Sequence, residues 1–517
     1  MKKTLLILLA SVGFLSCVED EGNYTYTELN QITIEGLEAS YKVLDKVDVI
    51  KITPTIKGTL SGDDLSNYEY QWHIHEGIVD HKHTIISHEK DLEWKVDLGI
   101  GDYTLYFTVK DKSTGLEATA YSSIKTSTAI SKGFLLLGED MDEGIVGLDM
   151  IVMPAGRDTT VAERVYDNSE TKFKGAEKIL YQGPRMANVN IESLWMCTED
   201  GSFRMSHHPG TVSVISEVND FHMIETDYPH KEMRIKDVFP HQTNYYGNYW
   251  NCSYSYRGYM TEDMIVFGSI MQAEYYATPC NRKSNADGTP LFEFFPFVFY
   301  HEASNNGYTT AYTIYNTTDS CFMKTYNAGT RASHCVAPAN DYATDLFPWN
   351  QKGTGRTLVW GGNTLDATGH SLALMKDDKG KYYFYKFVAG PYSWTKKGFY
   401  EVDLDVAPHF AEASHYMVSA TGSIFMYTYG STLYLYDYTY KTCEAFDMGT
   451  EITCLEPDFV SAQSRTSFFV ATYSDSEKGI VRKMDVGTNP NTLEISDRPD
   501  EVWNTRLRVK DIEWKSY

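Results

Sequence analysis

The chain runs to 517 residues, too long for one ordinary hydrophobic core, so two or more domains are expected. Its 46 Lys and Arg stand against 70 Asp and Glu, a formal charge of −24 that repels phosphate backbones and makes nucleic acid a poor partner. After the first residues no stretch approaches the ~18 apolar residues of a membrane-spanning helix, and the remainder is expected to be soluble.

In chain order, Lys2 and Lys3 give a positive start, residues 5–14 an apolar run too short to cross a bilayer, and Phe14-Leu15-Ser16-Cys17 a lipobox-like cleavage site. Residues 1–17 are therefore predicted to be a lipoprotein signal sequence ending at Cys17, on which the mature protein would carry its lipid. Val18-Glu19-Asp20-Glu21 and Gly22-Asn23 then form an acidic flexible tether, residues 18–23. The acidic run is similar to the export signal of Bacteroidota surface lipoproteins, which implies a lipid-anchored outer-membrane protein facing the cell exterior. Taken alone, the same run is a solvated linker.

Residues 24–127 show short alternating runs between polar turns, the pattern of an antiparallel sandwich. Tyr68, Tyr70, Trp72 and Ile74 fall on one strand face, and Glu69, Gln71, His73 and His75 on the other, which predicts Trp72 in the core. Leu92, Trp94 and Val96 alternate likewise, as do Tyr103, Leu105, Phe107 and Val109 before a turn over 110–115 and a last strand over 117–125. Residues 126–128 read as a hinge. The Tyr68-Glu69-Tyr70-Gln71-Trp72 strand, the strand over 101–111, the lipobox and Tyr24-Thr25-Tyr26-Thr27-Glu28-Leu29-Asn30 together resemble the PKD-like lipoproteins of Bacteroidota. The resemblance implies an immunoglobulin-like β-sandwich over 24–127. The Trp-x-Phe-Gly-Asp-Gly signature of PKD domains proper does not occur, so only the fold carries over.

From residue 130 the chain is strand-rich without helical periodicity. An apolar strand, a Gly or Asp turn and a second alternating strand recur over 133–153, 178–206, 264–276, 357–388, 415–448 and 466–486, most clearly around Gly430-Ser431. Loose repeats of about fifty residues predict a β-propeller of roughly seven blades over 130–517. A pair of further sandwiches is the competing architecture. The expected fold is thus all-β, a sandwich followed by a propeller.

The chain carries 39 Tyr, 24 Phe and 9 Trp, residues that favour strands and also stack on sugars or grip peptides. The strongest candidate surface is Tyr245, Tyr246, Tyr249 and Trp250, continuing through Tyr254, Tyr256 and Tyr259, because Gly247 and the flanking asparagines break strand character and put rings on a loop. Trp349, in Phe347-Pro348-Trp349-Asn350, and Tyr392 with Trp394, in Pro391-Tyr392-Ser393-Trp394, are shorter versions. The bland alternative is that these rings fill space between blades. His73 with His75, and His81 with His83, could converge across a hairpin as metal ligands, or could simply form a polar outer face. Asp140-Met141-Asp142-Glu143-Gly144 reads as a turn rather than a calcium loop. No cofactor is expected.

With Cys17 lipidated, seven cysteines remain, an odd number that leaves at least one free thiol. Cys321 with Cys335, and Cys443 with Cys454, are close enough in sequence to bridge adjacent strands, or they are buried thiols. No Gly-x-Ser-x-Gly elbow occurs, and His75-Glu76, His88-Glu89 and His301-Glu302 lack the second His of a zincin. A non-enzymatic protein is therefore expected. The resemblance implies an accessory role beside SusC/SusD-type outer-membrane importers, capturing oligosaccharides or peptides for uptake. The rivals are a propeller enzyme cutting glycans or peptides and a structural or adhesive surface protein. Clustered acids in the propeller mouth would point to the enzyme, an aromatic cleft to binding, and a plugged channel to structure.

Overall fold

The computed structural model describes residues 28–45, 47–76, 83–128, 130, 132–154, 158–166, 168–182, 193–206, 213–217, 234–239, 257–268, 278–300, 312–326, 328, 330, 332–338, 346–364, 370–389, 394–420, 422–458, 466–487, 489 and 492–515. The chain divides into two compact units, one ending at Ser127 and the other beginning at Thr128. Among the described residues the elements are β-strands apart from a 3-10 turn at Phe410–Glu412.

In the first unit a five-stranded sheet runs Ser40–Leu44, Glu117–Ser127, Gly101–Asp111, Tyr68–Glu76, His83–Ser87 in spatial order. Two ladders, Ile32–Glu35 with Thr55–Gly58 and Val49–Ile52 with Leu92–Lys95, share one apolar core with it, which makes the unit a sandwich. Trp72 is fully buried at the centre of this core. It stands opposite Phe107 in register, stacks on that ring at 4.2 Å, and donates its indole N–H to the Glu89 carbonyl at 3.0 Å. Residues 126 and 127, expected in a hinge, belong to the last strand. The Thr126 hydroxyl donates to the Gly101 carbonyl at 3.1 Å, and the strand gains a parallel partner in Ser40–Leu44 that extends its ladder to Ser127.

Among the described residues the second unit contains seven sheets. The first joins Gly133–Asp140, Ile145–Val152 and Thr160–Tyr166 to the last strand of the chain, Arg508–Lys515. The next six are antiparallel meanders in chain order. Sheet two is Ala176–Gln182, Ser193–Thr198, Gly201–Ser206 and Ser213–Glu217, and sheet three is Asp237–Phe239, Arg257–Met260 and Ile265–Gly268. Sheet four is Phe294–Tyr300, Tyr312–Asn316, Cys321–Tyr326 and His334–Val336, and sheet five is Thr357–Asn363, Ser371–Lys376, Tyr382–Ala389 and Trp394–Glu401. Sheet six is His415–Val418, Ile424–Tyr429, Thr432–Asp437 and Thr442–Asp447, and sheet seven is Glu451–Pro457, Ser467–Ser474, Lys478–Val486 and Ile495–Thr505.

An apolar core lies between each sheet and the next, and a seventh lies between sheet seven and sheet one, built on Phe134, Phe469 and Trp503. The first strand of each sheet packs beside the first strand of the next, and Arg508–Lys515 neighbours both Glu451–Pro457 and Ala176–Gln182. A sheet covered on both faces needs apolar side chains on both, so its strands lose the alternation of a one-sided sheet. Ile145–Val152 is accordingly buried at every position. The turn that leads into the closing strand is fixed by polar contacts around fully buried Asp149, which accepts from the Thr505 hydroxyl at 2.6 Å, the Arg164 backbone N–H at 2.8 Å and the Arg506 guanidinium at 3.3 Å.

Candidate functional site

Each of the seven sheets presents its first strand, or Arg508–Lys515 in sheet one, to a single cavity of about 410 Å³. A regular strand aims alternate side chains at such a space. Five of these strands carry a register shift against their neighbour, an irregularity that bends a strand and re-aims its side chains. The shifts fall next to Asp511, Lys178, Phe295-Pro296-Phe297 and Trp360, and just ahead of Leu455 and Glu456, all of which line the cavity. Pro296 has no N–H for a ladder and is accommodated by the irregularity in sheet four.

The half-buried rings of the wall are Phe295, Phe297, Trp360 and Tyr416, with Phe134, Phe469 and Trp514 buried beside them. Gly361 permits it: a Cβ there would stand 2.4 Å from the Phe297 ring, so only glycine lets a ring of sheet four lie against sheet five. Trp360 is held edge-on to Phe425 at 5.2 Å. The Tyr416 hydroxyl donates to the Phe410 carbonyl at 2.7 Å, and burial pushes that phenol up to about 12, so it stays neutral.

The charged part centres on Lys178, whose ammonium lies 3.5 Å from the Asp237 carboxylate. Burial disfavours the charge, but Asp237, Asp511 and Glu456 together outweigh it and hold the ammonium above the ordinary lysine value. The side chain keeps 45% of its surface accessible because it borders the cavity, yet protein surrounds that space and solvates the charge poorly. Lys178 is thus a fixed cation and not a base or an amine nucleophile at neutral pH. Asp511 also accepts from the Ile179 backbone N–H at 2.8 Å, tying sheet one to sheet two, and Asp237 from the Val238 N–H at 2.9 Å. Glu456 and Glu513 complete a wall in which carboxylates outnumber the ammonium. Nearby Cys197 is pushed up to about 12 by burial and is inert. Rings beside carboxylates suit a ligand with an apolar face and hydroxyl or ammonium donors.

Cys17, Tyr245, Tyr246, Tyr249, Trp250, Tyr254, Tyr256, Tyr392 and His81 lie outside the described residues. Trp349, expected on a binding loop, is only 2% exposed and sits in the core between sheets four and five, 5.2 Å from both Phe347 and Phe387. The Phe322 N–H donates to its carbonyl at 3.1 Å, and Asn350 bridges Cys321, so the loop is folded onto the sheet. Trp394 opens a strand and packs against Trp349 at 5.0 Å. Tyr259 is buried, edge-on to Trp195.

His73, His75 and His83 do come together, with ring centroids 5.3–5.6 Å apart, and His73 stacks on Tyr106 at 5.1 Å. Burial, then His75 and His83, depress the His73 pKa. No group of three metal-ligating side chains among the described residues is placed to hold an ion. Asp140 accepts from the backbone N–H groups of Asp142 and Glu143, and the segment is a turn. Neither expected cysteine bridge forms. Cys335 pairs with Thr325, four places along the strand from Cys321, roughly 13 Å at the usual rise, and Cys443 and Cys454 belong to different sheets.

The cavity residues Lys178, Asp237, Trp360, Tyr416 and Asp511 were not singled out by the sequence. The available signals were a lysine opening an apolar run at Lys178-Ile179-Leu180-Tyr181, a proline within an aromatic strand at Pro296, and the Gly361-Gly362 pair after Trp360.

Residues 17–176 match the PKD-like family model. The match takes in the sandwich and runs on into the first sheet of the second unit. Among solved structures, the chain is similar to a protein described as quinonprotein alcohol dehydrogenase-like from Bacteroides thetaiotaomicron, at 11% identity over 93% of this chain and 99% of that one, with a TM-score of 0.34. It is similar to an extracellular domain described as that of a candidate hybrid two-component system of the same species, at 9% identity over 92% and 68%, TM-score 0.37. A third is described as a candidate 6-phosphogluconolactonase from Bacteroides fragilis, at 10% identity over 75% and 99%, TM-score 0.39. No curated protein matches the chain. Among the described residues no helix is long and apolar enough to cross a membrane.

Proposed function

We propose that residues 130–517 form a seven-bladed propeller whose axial cavity binds a small hydroxyl- or amine-bearing ligand, and that the chain is a non-enzymatic, lipid-anchored capture protein of the cell surface. One observation carries the binding reading: the first strands of seven sheets contribute aromatic and carboxylate side chains to one cavity. Seven sheets alternating with seven cores, and a last strand that completes sheet one, support the propeller. The lipobox at Cys17 and the acidic run behind it support lipid anchorage and surface display. The accessory role beside a SusC/SusD-type importer, with an oligosaccharide or peptide as cargo, rests on the PKD-like match and the lipobox.

A second reading has its own observation, since carboxylates clustered around Lys178 are groups that a glycan- or peptide-cutting enzyme would use. Binding is preferred because Asp237 and Asp511 already serve Lys178 and backbone N–H groups. Titration calorimetry against neutral oligosaccharides, amino sugars and short peptides, with product analysis of the same samples, separates the two. Trp360→Ala should weaken binding about five- to a hundredfold with little change in melting temperature. Released products would establish the enzyme instead. No binding, with Trp360→Ala altering only stability, would reduce the cavity to imperfect packing.

A further inference from the structure

We propose that Cys280 and Cys335 are joined by a disulfide in the mature protein, fastening the segment that leaves sheet three to the outermost strand of sheet four. The structure holds both as thiols, fully buried and packed in one core. Their backbones are locked together. The Cys335 N–H donates to the Arg282 carbonyl at 2.8 Å, the Arg282 side chain donates to the Ser333 carbonyl at 2.9 Å, and the Cys280 N–H donates to the Ile265 carbonyl at 2.8 Å. Thiols of one core on backbones joined through Arg282, which accepts from the Cys335 N–H and donates its own N–H to the Cys280 carbonyl, need little movement to reach disulfide geometry, which spans about 4.4–6.8 Å between Cα atoms.

Among the described cysteines the fold also removes the competitors. Cys197 and Cys454 lie in other cores, Cys443 is in contact with the Tyr427 hydroxyl at 3.6 Å, and Cys321 is several residues along its strand from the partner of Cys335. Sequence spacing allowed Cys321 with Cys335, or buried thiols, whereas the tertiary structure brings in Cys280 from 55 residues upstream of Cys335.

The oxidant is a disulfide of an extracytoplasmic thiol oxidase or of glutathione. One cysteine thiolate attacks the oxidant disulfide and expels one of its sulfurs as a thiolate. The second cysteine thiolate then attacks the mixed disulfide and expels the other. Two electrons pass to the oxidant, the two protons of the cysteine thiols end on the released thiols, and one S–S bond forms in the protein. In the folded state both sulfurs are fully buried and out of reach of the oxidant, so exchange occurs before the core closes.

In the cell the bond rests on the proposed export, because cytosolic thiols stay reduced; the test supplies the oxidant directly, so that a failure of export leaves it unaffected. The full chain is refolded from the reduced, denatured state in oxidised and reduced glutathione, digested without reductant and read by mass spectrometry. The expected result is a peptide pair linked through Cys280 and Cys335, lighter by two hydrogens than the free peptides. Closing a loop of this length should favour folding on the order of a thousandfold, seen as a melting temperature several degrees above that of the reduced protein. Cys280→Ala and Cys335→Ala should each abolish that difference. If a variant does not fold, titration of wild-type protein with dithiothreitol provides the same comparison. Both cysteines found alkylatable after oxidation, a link to any other cysteine, or equal melting temperatures of oxidised and reduced wild type would overturn the proposal.

Discussion

The sandwich and the seven-sheet unit are both all-β, yet they use their aromatic residues differently. In the sandwich, strand Tyr68–Glu76 buries Trp72 and Ile74 and turns Glu69 to water, because only one face of its sheet meets the core. In the second unit each sheet is packed on both faces, so one hairpin buries Tyr427, Tyr434 and Tyr436 on one face and Met426, Leu433 and Leu435 on the other. Rings that would advertise a surface in a one-sided sheet are here the mortar between sheets. Surface rings then have to be sought where the strands are irregular, at Phe295, Phe297 and Trp360.

This contrast can be broken by mutation. Trp72→Ala should cost about 3–5 kcal/mol, the usual range for deleting a large core ring, while ligand binding by the second unit persists. Chemical denaturation followed by fluorescence, with binding measured beside it, tests both halves. Trp349→Ala should behave in the same way, at the lower end of that range because neighbouring rings can partly collapse into the space; a loss of affinity without a loss of stability would return Trp349 to the binding surface.

Asp149→Ala should cost about 3 kcal/mol, since it leaves the Thr505 hydroxyl and the Arg164 backbone N–H without their acceptor and takes from Arg506 one of its two carboxylates, Asp140 being the other. The loss belongs to the seam where the two ends of the second unit meet, so limited proteolysis should release the C-terminal strand first. Release of an internal sheet before it would show that the closing strand is not the weak point.

The smallest effect should be a pH dependence of the sandwich. His73 has a pKa below its ordinary 6.5 in the folded state, so the unfolded chain binds more protons as pH falls through that value. Stability is therefore present above pH 6.5 and lost on acidification. Melting curves between pH 7.5 and 5, roughly the range in which histidine titrates, should show a downward drift that His73→Gln reduces. An unchanged drift in that variant would assign it to other groups.

What the sequence could convey follows from how each contact is encoded. Alternation over Tyr68–Glu76 and Gly101–Asp111 is a local pattern, and it placed Trp72 and Phe107 inside before any fold was known. The recurrence of strand, turn and strand beyond residue 130 is local too, and it announced repeated sheets. Only the tertiary structure decided that Trp349 turns inward, that Arg508–Lys515 completes a sheet begun at Gly133, that Lys178 meets Asp237 and Asp511, and that Cys280 shares a core with Cys335. Those partners are separated by tens to hundreds of residues and are brought together by register shifts and by packing on both faces of each sheet. No periodicity within a single strand records them.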